Sequence, residues 1–216
     1  MNKSIRRCQF LGKNPQDGAT VRGGLPLKHL EVNISVDNAV AVIDVVQTFI
    51  NDRDHPLEVS LKFPIEKEHA LGGLTIQIGG DIIEGKVLKK EKAQERYEDA
   101  IASGHTAVTA EESKDDPDMV TLKVGNLLQG QEAVIRFRLL HVLRIEAGSY
   151  VVRVPISFFP SADDVDYAFS LRADLKADAA IVYVSGPEGA VVTRDPENPL
   201  HVSLERPAVG SKTLKN

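Results

Sequence analysis

The clearest pattern in the chain is the alternation of hydrophobic and polar residues, which is typical of β-strands with one buried face. It is strictest from Leu57 to Phe63, where every second residue is apolar before Pro64 ends the strand. Alternation, or a dense run of β-branched residues, predicts further strands at residues 30–36, 40–50, 74–78, 82–84, 120–124, 133–139, 150–154, 167–173, 181–184, 190–193 and 200–204. The chain is therefore predicted to be mainly β.

The first two predicted strands are joined by Asp37-Asn38, a pair of residues that favours a tight turn. The second strand, from Val40 to Ile50, has few polar residues, and such a run indicates a strand in the middle of a sheet. We expect these two strands to form a hairpin.

One segment, residues 89–103, has the pattern of an α-helix. It contains neither proline nor glycine, and Ala93, Tyr97, Ala100 and Ile101 fall on one face at helical spacing. Gly104 follows where a left-handed residue would end the helix. The remaining surface is strongly charged, which usually means a solvated face. Lys90 and Arg96 on that face are the only partner-binding residues that we single out.

The chain divides into three parts by its pattern of turns. Residues 1–24 carry turn signals with little periodicity and are predicted to be an N-terminal tail or loop. Residues 25–160 hold most of the strands and the helix. Residues 161–216 contain short strands between Gly and Pro turns and predict a small antiparallel β unit, whose core would be thin by itself.

Composition narrows the class of protein. The 216 residues are 42% hydrophobic and 26% charged, which is ordinary for a globular protein, and the net charge of −5 argues against a nucleic-acid binder. Cys8 is the only cysteine, so an intrachain disulfide and a four-cysteine zinc site are excluded, and a reducing, cytoplasmic location fits best. The sequence shows no secretion signal and no apolar run long enough to predict a membrane span.

A search for catalytic and metal-binding motifs gives no candidate site. The nucleophile elbow, the zinc-protease motif and the phosphate-binding loop are absent, and the six histidines have no metal-ligand spacing. A site assembled in space from distant histidines stays open. The acidic run at residues 111–118 lacks the glycine and the closing glutamate of a calcium loop. We therefore predict no catalytic, cofactor or metal residues, and expect that the protein is not an enzyme.

Five short motifs follow one another along the chain. They are Phe49-Ile50-Asn51, the segment Glu58 to Pro64, the segment Ile83 to Val87, the helix with Gly104, and Val124-Gly125-Asn126-Leu127. Their order resembles the vault protein inter-alpha-trypsin (VIT) domain. The resemblance covers about residues 25–160, and where the family often has Pro-Gly after its Gly-Asn motif, this chain has Gln129-Gly130.

The resemblance implies a noncatalytic antiparallel β-sandwich with one principal helix, placed before a von Willebrand A domain. It also implies that residues 161–216 belong to a small sandwich completed by sequence absent from this chain. The expected role is a protein-protein interaction or scaffold module, with a von Willebrand A domain of the parent protein among its partners. A second copy could also pair through exposed C-terminal strand edges.

Two other functions remain open. The chain could be a regulatory, noncatalytic segment of a poly(ADP-ribose) polymerase-like enzyme, since such an enzyme carries this domain. It could also belong to a secreted, heavy-chain-like matrix protein, in which case a signal has been removed. The lone Cys8 and the charged first residues argue against secretion.

Overall fold

A computed structural model describes residues 7–21, 25–64, 68–85, 110–113, 116–159 and 167–210. Fourteen β-strands and one 3-10 turn, Ile156–Phe158, account for the regular structure of these residues, so the predicted mainly β class is confirmed. The strands are β1 (Gln9–Lys13), β2 (Leu27–Asp37), β3 (Val40–Ile50), β4 (Leu57–Pro64), β5 (Ala70–Ile78), β6 (Asp81–Gly85), β7 (Ala110–Ser113), β8 (Asp116–Leu127), β9 (Glu132–Val142), β10 (Arg144–Glu146), β11 (Ser149–Val151), β12 (Ala168–Lys176), β13 (Val191–Asp195) and β14 (Asn198–Gly210).

The strands form two main sheets and a short hairpin. The small sheet has the order β1-β4-β8-β7, the large sheet has the order β13-β14-β12-β2-β3-β9-β5-β6, and β10 pairs with β11. All the pairings are antiparallel except that of β12 with β2, which is parallel. The predicted β2–β3 hairpin is confirmed, with Asn38 at a φ of 53° in its turn.

Aromatic side chains join the small sheet to the large one. Phe10 of β1 packs on Phe49 of β3 with ring centroids 5.0 Å apart. Phe63 of β4 lies 5.3 Å from Phe137 of β9, and Phe137 also contacts Phe158 at 4.6 Å. All five rings are buried. The four on strands point into the space between the sheets because alternate residues of a strand face the same side, and Phe158 reaches it from the 3-10 turn. We call this region the two-sheet core.

The N-terminal prediction was wrong for residues 9–13, which form β1 and pair with β4 instead of forming a tail or loop. Phe10 is buried, and a Cβ atom at Gly12 would come within 2.8 Å of Leu57 Cδ1, so the strand lies close against β4. Only five residues long, β1 is too short to give a clear period of its own, and its partner lies far along the sequence.

The strands after residue 166 extend the large sheet. Strand β12 pairs with β2 along its whole length, from Ala168 opposite His29 to Lys176 opposite Asp37, and then β14 and β13 follow. The strands predicted for the C-terminal unit thus continue the sheet of the two-sheet core. We call β12, β13 and β14 the C-terminal extension. The division of the chain at residue 160 stays a prediction.

Residues 181–184 were predicted to be a strand and are not. Their backbone is held by contacts of a different kind: Arg194 donates hydrogen bonds to the carbonyl oxygens of Ile181 and Val182. The Ile181 amide donates to Pro199 O, but no strand pairs with the segment that follows. The apolar residues of this stretch predicted a half-buried strand, whereas Val182 and Tyr183 are exposed.

The helix predicted at residues 89–103 lies outside the described residues. Within the described ranges the structure contains no α-helix, and none of their helical segments has the length and hydrophobicity needed to cross a membrane.

Candidate interaction surface

Asn51, which ends the first motif of the family resemblance, is fully buried and joins two loops. Its Nδ2 atom donates to His55 O and to Leu127 O, both at 3.0 Å, and its Oδ1 atom accepts from the Arg53 amide. Its backbone bonds to Gln131 and Gly130. The side chain therefore fixes the loop after β3 against the end of β8, which is a structural role.

A second buried polar cluster ties the N-terminus to the 3-10 turn. Gln47 Nε2 donates to Phe158 O at 2.6 Å, and Gln47 Oε1 accepts from the Cys8 thiol at 3.6 Å. The Cys8 amide donates to Ser157 O. Burial raises the pKa of the Cys8 thiol well above its ordinary value, with the Gln47 hydrogen bond opposing this only in part. Cys8 is thus a buried neutral thiol and not a reactive one.

Two histidines that are distant in the sequence meet at the end of β5 and β9. The rings of His69 and His141 are stacked with centroids 4.6 Å apart, and both are buried. His69 Nε2 bonds to Arg153 O and His141 Nδ1 to Glu68 O, while His69 Nδ1 has no partner. Each ring is thus held by a backbone carbonyl oxygen, which is a structural role.

One exposed apolar surface lies at the β13 end of the large sheet. Strand β13 is the last in the order, so within the described strands only one of its edges is paired, and all five of its residues are exposed. Val191 of β13 is 60% exposed, and Val182 and Tyr183 of the neighbouring segment are 88% and 70% exposed. We call β13 and residues 181–184 the C-terminal edge.

Arg206 lies beside this edge and is the least expected polar residue of the inner face. On β14 the buried positions alternate as Val202, Leu204 and Arg206, and Arg206 is only 8% exposed. Its guanidinium lies 5.7 Å from the centre of the Phe169 ring, and its Nε atom is buried without a hydrogen-bond partner. The predicted strand stopped at Leu204; continuing its alternation by one step would have placed Arg206 on the inner face.

The two partner-binding residues predicted from the sequence, Lys90 and Arg96, lie outside the described residues, so their prediction stays open. The structure likewise describes only part of the acidic run at 111–118. In the described part of the chain, no three His, Cys, Asp or Glu side chains converge in a way that could hold a metal ion.

Comparison with known proteins places the chain in a family. The model of the vault protein inter-alpha-trypsin domain matches residues 27–139. A von Willebrand factor A domain-containing protein of Dictyostelium discoideum is 29% identical over 145 residues, which is 65% of this chain and 16% of that protein. Von Willebrand factor A domain-containing protein 5A of Mus musculus is 30% identical over 56% of this chain and 15% of its own length.

Protein mono-ADP-ribosyltransferase PARP4 of Homo sapiens is 31% identical over 65% of this chain and 8% of its own length. The chain thus matches less than a fifth of each of these relatives. Among solved structures, an M1 zinc metallopeptidase of Deinococcus radiodurans covers 87% of this chain and 40% of its own, with 16% identity and a TM-score of 0.41, a likeness too weak to carry an argument.

The matched segment runs from the start of β2 almost to the end of β9 and therefore contains the inner strands of the two-sheet core, including the buried Asn51. It occupies more than half of the chain. This chain is a member of the vault protein inter-alpha-trypsin (VIT) domain family.

Proposed function

We propose that this chain is a noncatalytic protein-interaction module of a larger polypeptide that also carries a von Willebrand A domain. The observation that carries the proposal is the C-terminal edge, where β13 offers one unpaired edge within the described strands together with exposed valines. The edge of a sheet is a template on which another polypeptide can add a strand. The two-sheet core would be the rigid support for that edge.

The relatives support the identity of the partner. Those of mouse and Dictyostelium are named for a von Willebrand A domain, and the chain matches only a small share of each. The absence of catalytic motifs from the sequence supports a noncatalytic role. A buried, neutral Cys8 with no second cysteine in the sequence is compatible with the cytoplasmic location that we propose.

The test is binding to the von Willebrand A domain encoded with this chain, measured by calorimetry with purified proteins. We expect Val191→Lys to weaken binding at least tenfold, because a charge on an edge strand opposes strand addition. Val142→Lys is the matched control, since Val142 is 71% exposed on β9 of the same sheet but lies away from the C-terminal edge. Absence of binding, or equal loss in both variants, would contradict the proposal.

A second copy of the chain is the alternative occupant of the edge. Two β13 strands pairing with each other would join two large sheets into one. Light scattering on the purified chain distinguishes this case: a dimer that Val191→Lys converts to a monomer would assign the edge to self-association and not to an A domain.

A regulatory segment of a poly(ADP-ribose) polymerase-like enzyme is the second candidate function. It is favoured by the 31% identity to the human mono-ADP-ribosyltransferase PARP4. The coding sequence that follows residue 216 decides between the two, because a transferase domain there would support the second candidate and an A domain alone would support the first.

A further inference from the structure

The side chain of Arg206 is largely buried, and its Nε atom lacks a hydrogen-bond partner. The residue is more than nine-tenths buried, its Nε atom has no partner, and no acidic side chain of the described residues forms an ion pair with it. Within the described ranges, its guanidinium lies over the face of the Phe169 ring. Buried charges in proteins are normally paired and hydrogen-bonded, since removing a cation from water without compensation is costly.

The backbone around Arg206 holds it in that position. Phe169 pairs with Val209 and Leu171 with Arg206, so β14 has one more residue than β12 between these two pairs. This bulge contains Pro207, which has no amide proton to give to the ladder. Arg206 therefore keeps its place among the buried residues of β14 at the point where the regular pairing with β12 ends.

The segment between β12 and β13 passes over the same face. A Cβ atom at Gly186 would come within 2.5 Å of Leu204 Cδ1, and one at Gly189 would lie 3.7 Å from Arg206 Nε. Gly189 has a φ of 78°, which favours glycine. Among the described residues, the Gly189 backbone and the Phe169 ring therefore lie beside the guanidinium, and neither supplies a counterion.

We propose that Arg206 binds a carboxylate carried by an apolar segment of a polypeptide that docks at the C-terminal edge. The proposal rests on the proposed interaction function and adds the chemistry of its ligand. A carboxylate matches the fork of donors on a guanidinium, and such charge-assisted pairs are stronger than neutral hydrogen bonds. The docked segment supplies the acceptors that the described residues do not.

The surroundings favour a peptide carboxylate over a free phosphate. Val192, which pairs with Leu204 on the same face, is 36% exposed. The exposed Val182 lies beside β13, since Arg194 donates a hydrogen bond to its carbonyl oxygen, and the exposed Tyr183 is next to it in the chain. These apolar side chains fit the aliphatic residues that flank an acidic residue in a peptide. A free phosphate is strongly hydrated, so its transfer to this largely apolar surface is costly.

The experiment uses two blocked hexapeptides of valines, one with a central glutamate and the other with glutamine. Fluorescence anisotropy of labelled peptides with the intact chain should show the glutamate peptide binding at least tenfold more tightly. In Arg206→Met the two peptides should bind equally, and in Arg206→Lys, which keeps the charge but loses the fork, the ratio should be intermediate. Circular dichroism of both variants checks that they fold.

Each other outcome overturns a defined part of the proposal. Equal affinity of the two peptides for the parent chain, or an unchanged ratio in Arg206→Met, would overturn it. Displacement of the glutamate peptide by inorganic phosphate at millimolar concentration would assign the site to a free anion instead.

The chain also contains Asp163, Asp164 and Asp166, and these could supply the counterion themselves. Replacing all three by asparagine should leave the ratio of the affinities of the two peptides unchanged. An increase in that ratio would show that the chain neutralises Arg206 itself, contrary to the proposal.

Failure of this proposal and failure of the proposed function are distinguishable. Val191→Lys tests docking at the edge with the A domain, whereas the ratio of the two peptides tests Arg206 alone. If the A domain binds the parent chain but the two peptides bind it with equal affinity, the interaction function stands and the carboxylate proposal fails.

Discussion

The two-sheet core and the C-terminal extension belong to the same large sheet, but their inner faces are covered differently. In the core, Phe137 of β9 lies between Phe63 of the opposite sheet and Phe158. In the extension, the segment before β13 lies over Leu204 and Arg206 of β14, and Phe159 contacts Phe169 of β12. A second sheet buries the side chains that face it. A loop leaves apolar side chains such as Val192 partly exposed, and Arg206 Nε has no hydrogen-bond partner.

The difference assigns separate tasks to the two regions. Buried apolar area is the main source of folding free energy, so the core should hold most of the stability. Incomplete burial leaves the extension with the surface that is free to contact another chain. The predictions below test this division, beginning with the largest expected effect.

Removing an aromatic ring should cost more in the core than in the extension. We expect Phe137→Ala to lower the free energy of unfolding by about 4–5 kcal/mol, because it leaves a cavity between two sheets, and Phe169→Ala by about 3 kcal/mol. Both side chains are buried, so the pair is matched in size and burial. Urea unfolding measures both values, and an equal or reversed order would remove the distinction between the two regions.

Loss of the Asn51 side chain should be the next largest effect. Asn51→Ala removes two donated hydrogen bonds and one accepted bond at a fully buried position, leaving His55 O and Leu127 O without this donor. We expect a loss of about 2–3 kcal/mol. Asn126→Ala, at an exposed position of β8, is the control and should change stability by less than about 0.5 kcal/mol.

The buried thiol of Cys8 should make the core sensitive to alkaline pH. Because burial raises the folded-state pKa, the thiol stays protonated in the folded protein while it ionises in the unfolded chain above about pH 8.5. The thiol's contribution to the free energy of unfolding is therefore fully present below that pH. Above it, the free energy of unfolding falls by about 1.4 kcal/mol per pH unit.

Urea unfolding at pH 8, 9 and 10 measures how steeply the free energy of unfolding falls with pH. In Cys8→Ala, the part of this fall that lies below about pH 10 should be absent. Tyr167, whose pKa burial also raises, contributes only from about pH 10 upward. An identical slope in Cys8→Ala would show that the thiol is not protected in the folded protein.

Substitution at the C-terminal edge should have the smallest effect on folding. Val191→Ala should change the free energy of unfolding by less than about 0.5 kcal/mol, because the side chain is largely exposed. Hydrogen exchange should likewise be faster for the β13 amides than for those of β3, which has a partner strand on each side. Equal protection of the two strands in the isolated chain would show that β13 is already covered.

Local patterns predicted the core strands because their burial is regular. The β2–β3 hairpin, β4 and β9 alternate over many residues, so each carries its own signal. Pairing between distant strands leaves no such signal: β1 depends on β4 for its structure, and the parallel pairing of β12 with β2 joins segments more than a hundred residues apart. These features follow from tertiary contacts and not from the hydrophobic periodicity of the sequence.

The candidate surface was predictable only in part. Exposed C-terminal strand edges were expected from the family resemblance, and β13 lies at such an edge within the described strands. The position of Arg206 depends on how far the alternation of β14 continues, and the meeting of His69 with His141 depends on strands that pair in space. Residues 181–184, which belong to no strand, show that apolar composition alone does not provide a partner strand.

The place of β12 between β2 and β14 has a practical consequence for shortening the chain. A fragment that stops at residue 160 would lack β12 and leave β2, eleven residues long with regularly alternating apolar side chains, as a new bare margin of the sheet. Long, flat strands of that kind are sites of aggregation. The C-terminal strands therefore also protect the rest of the domain from aggregation, because β12 covers this edge of β2.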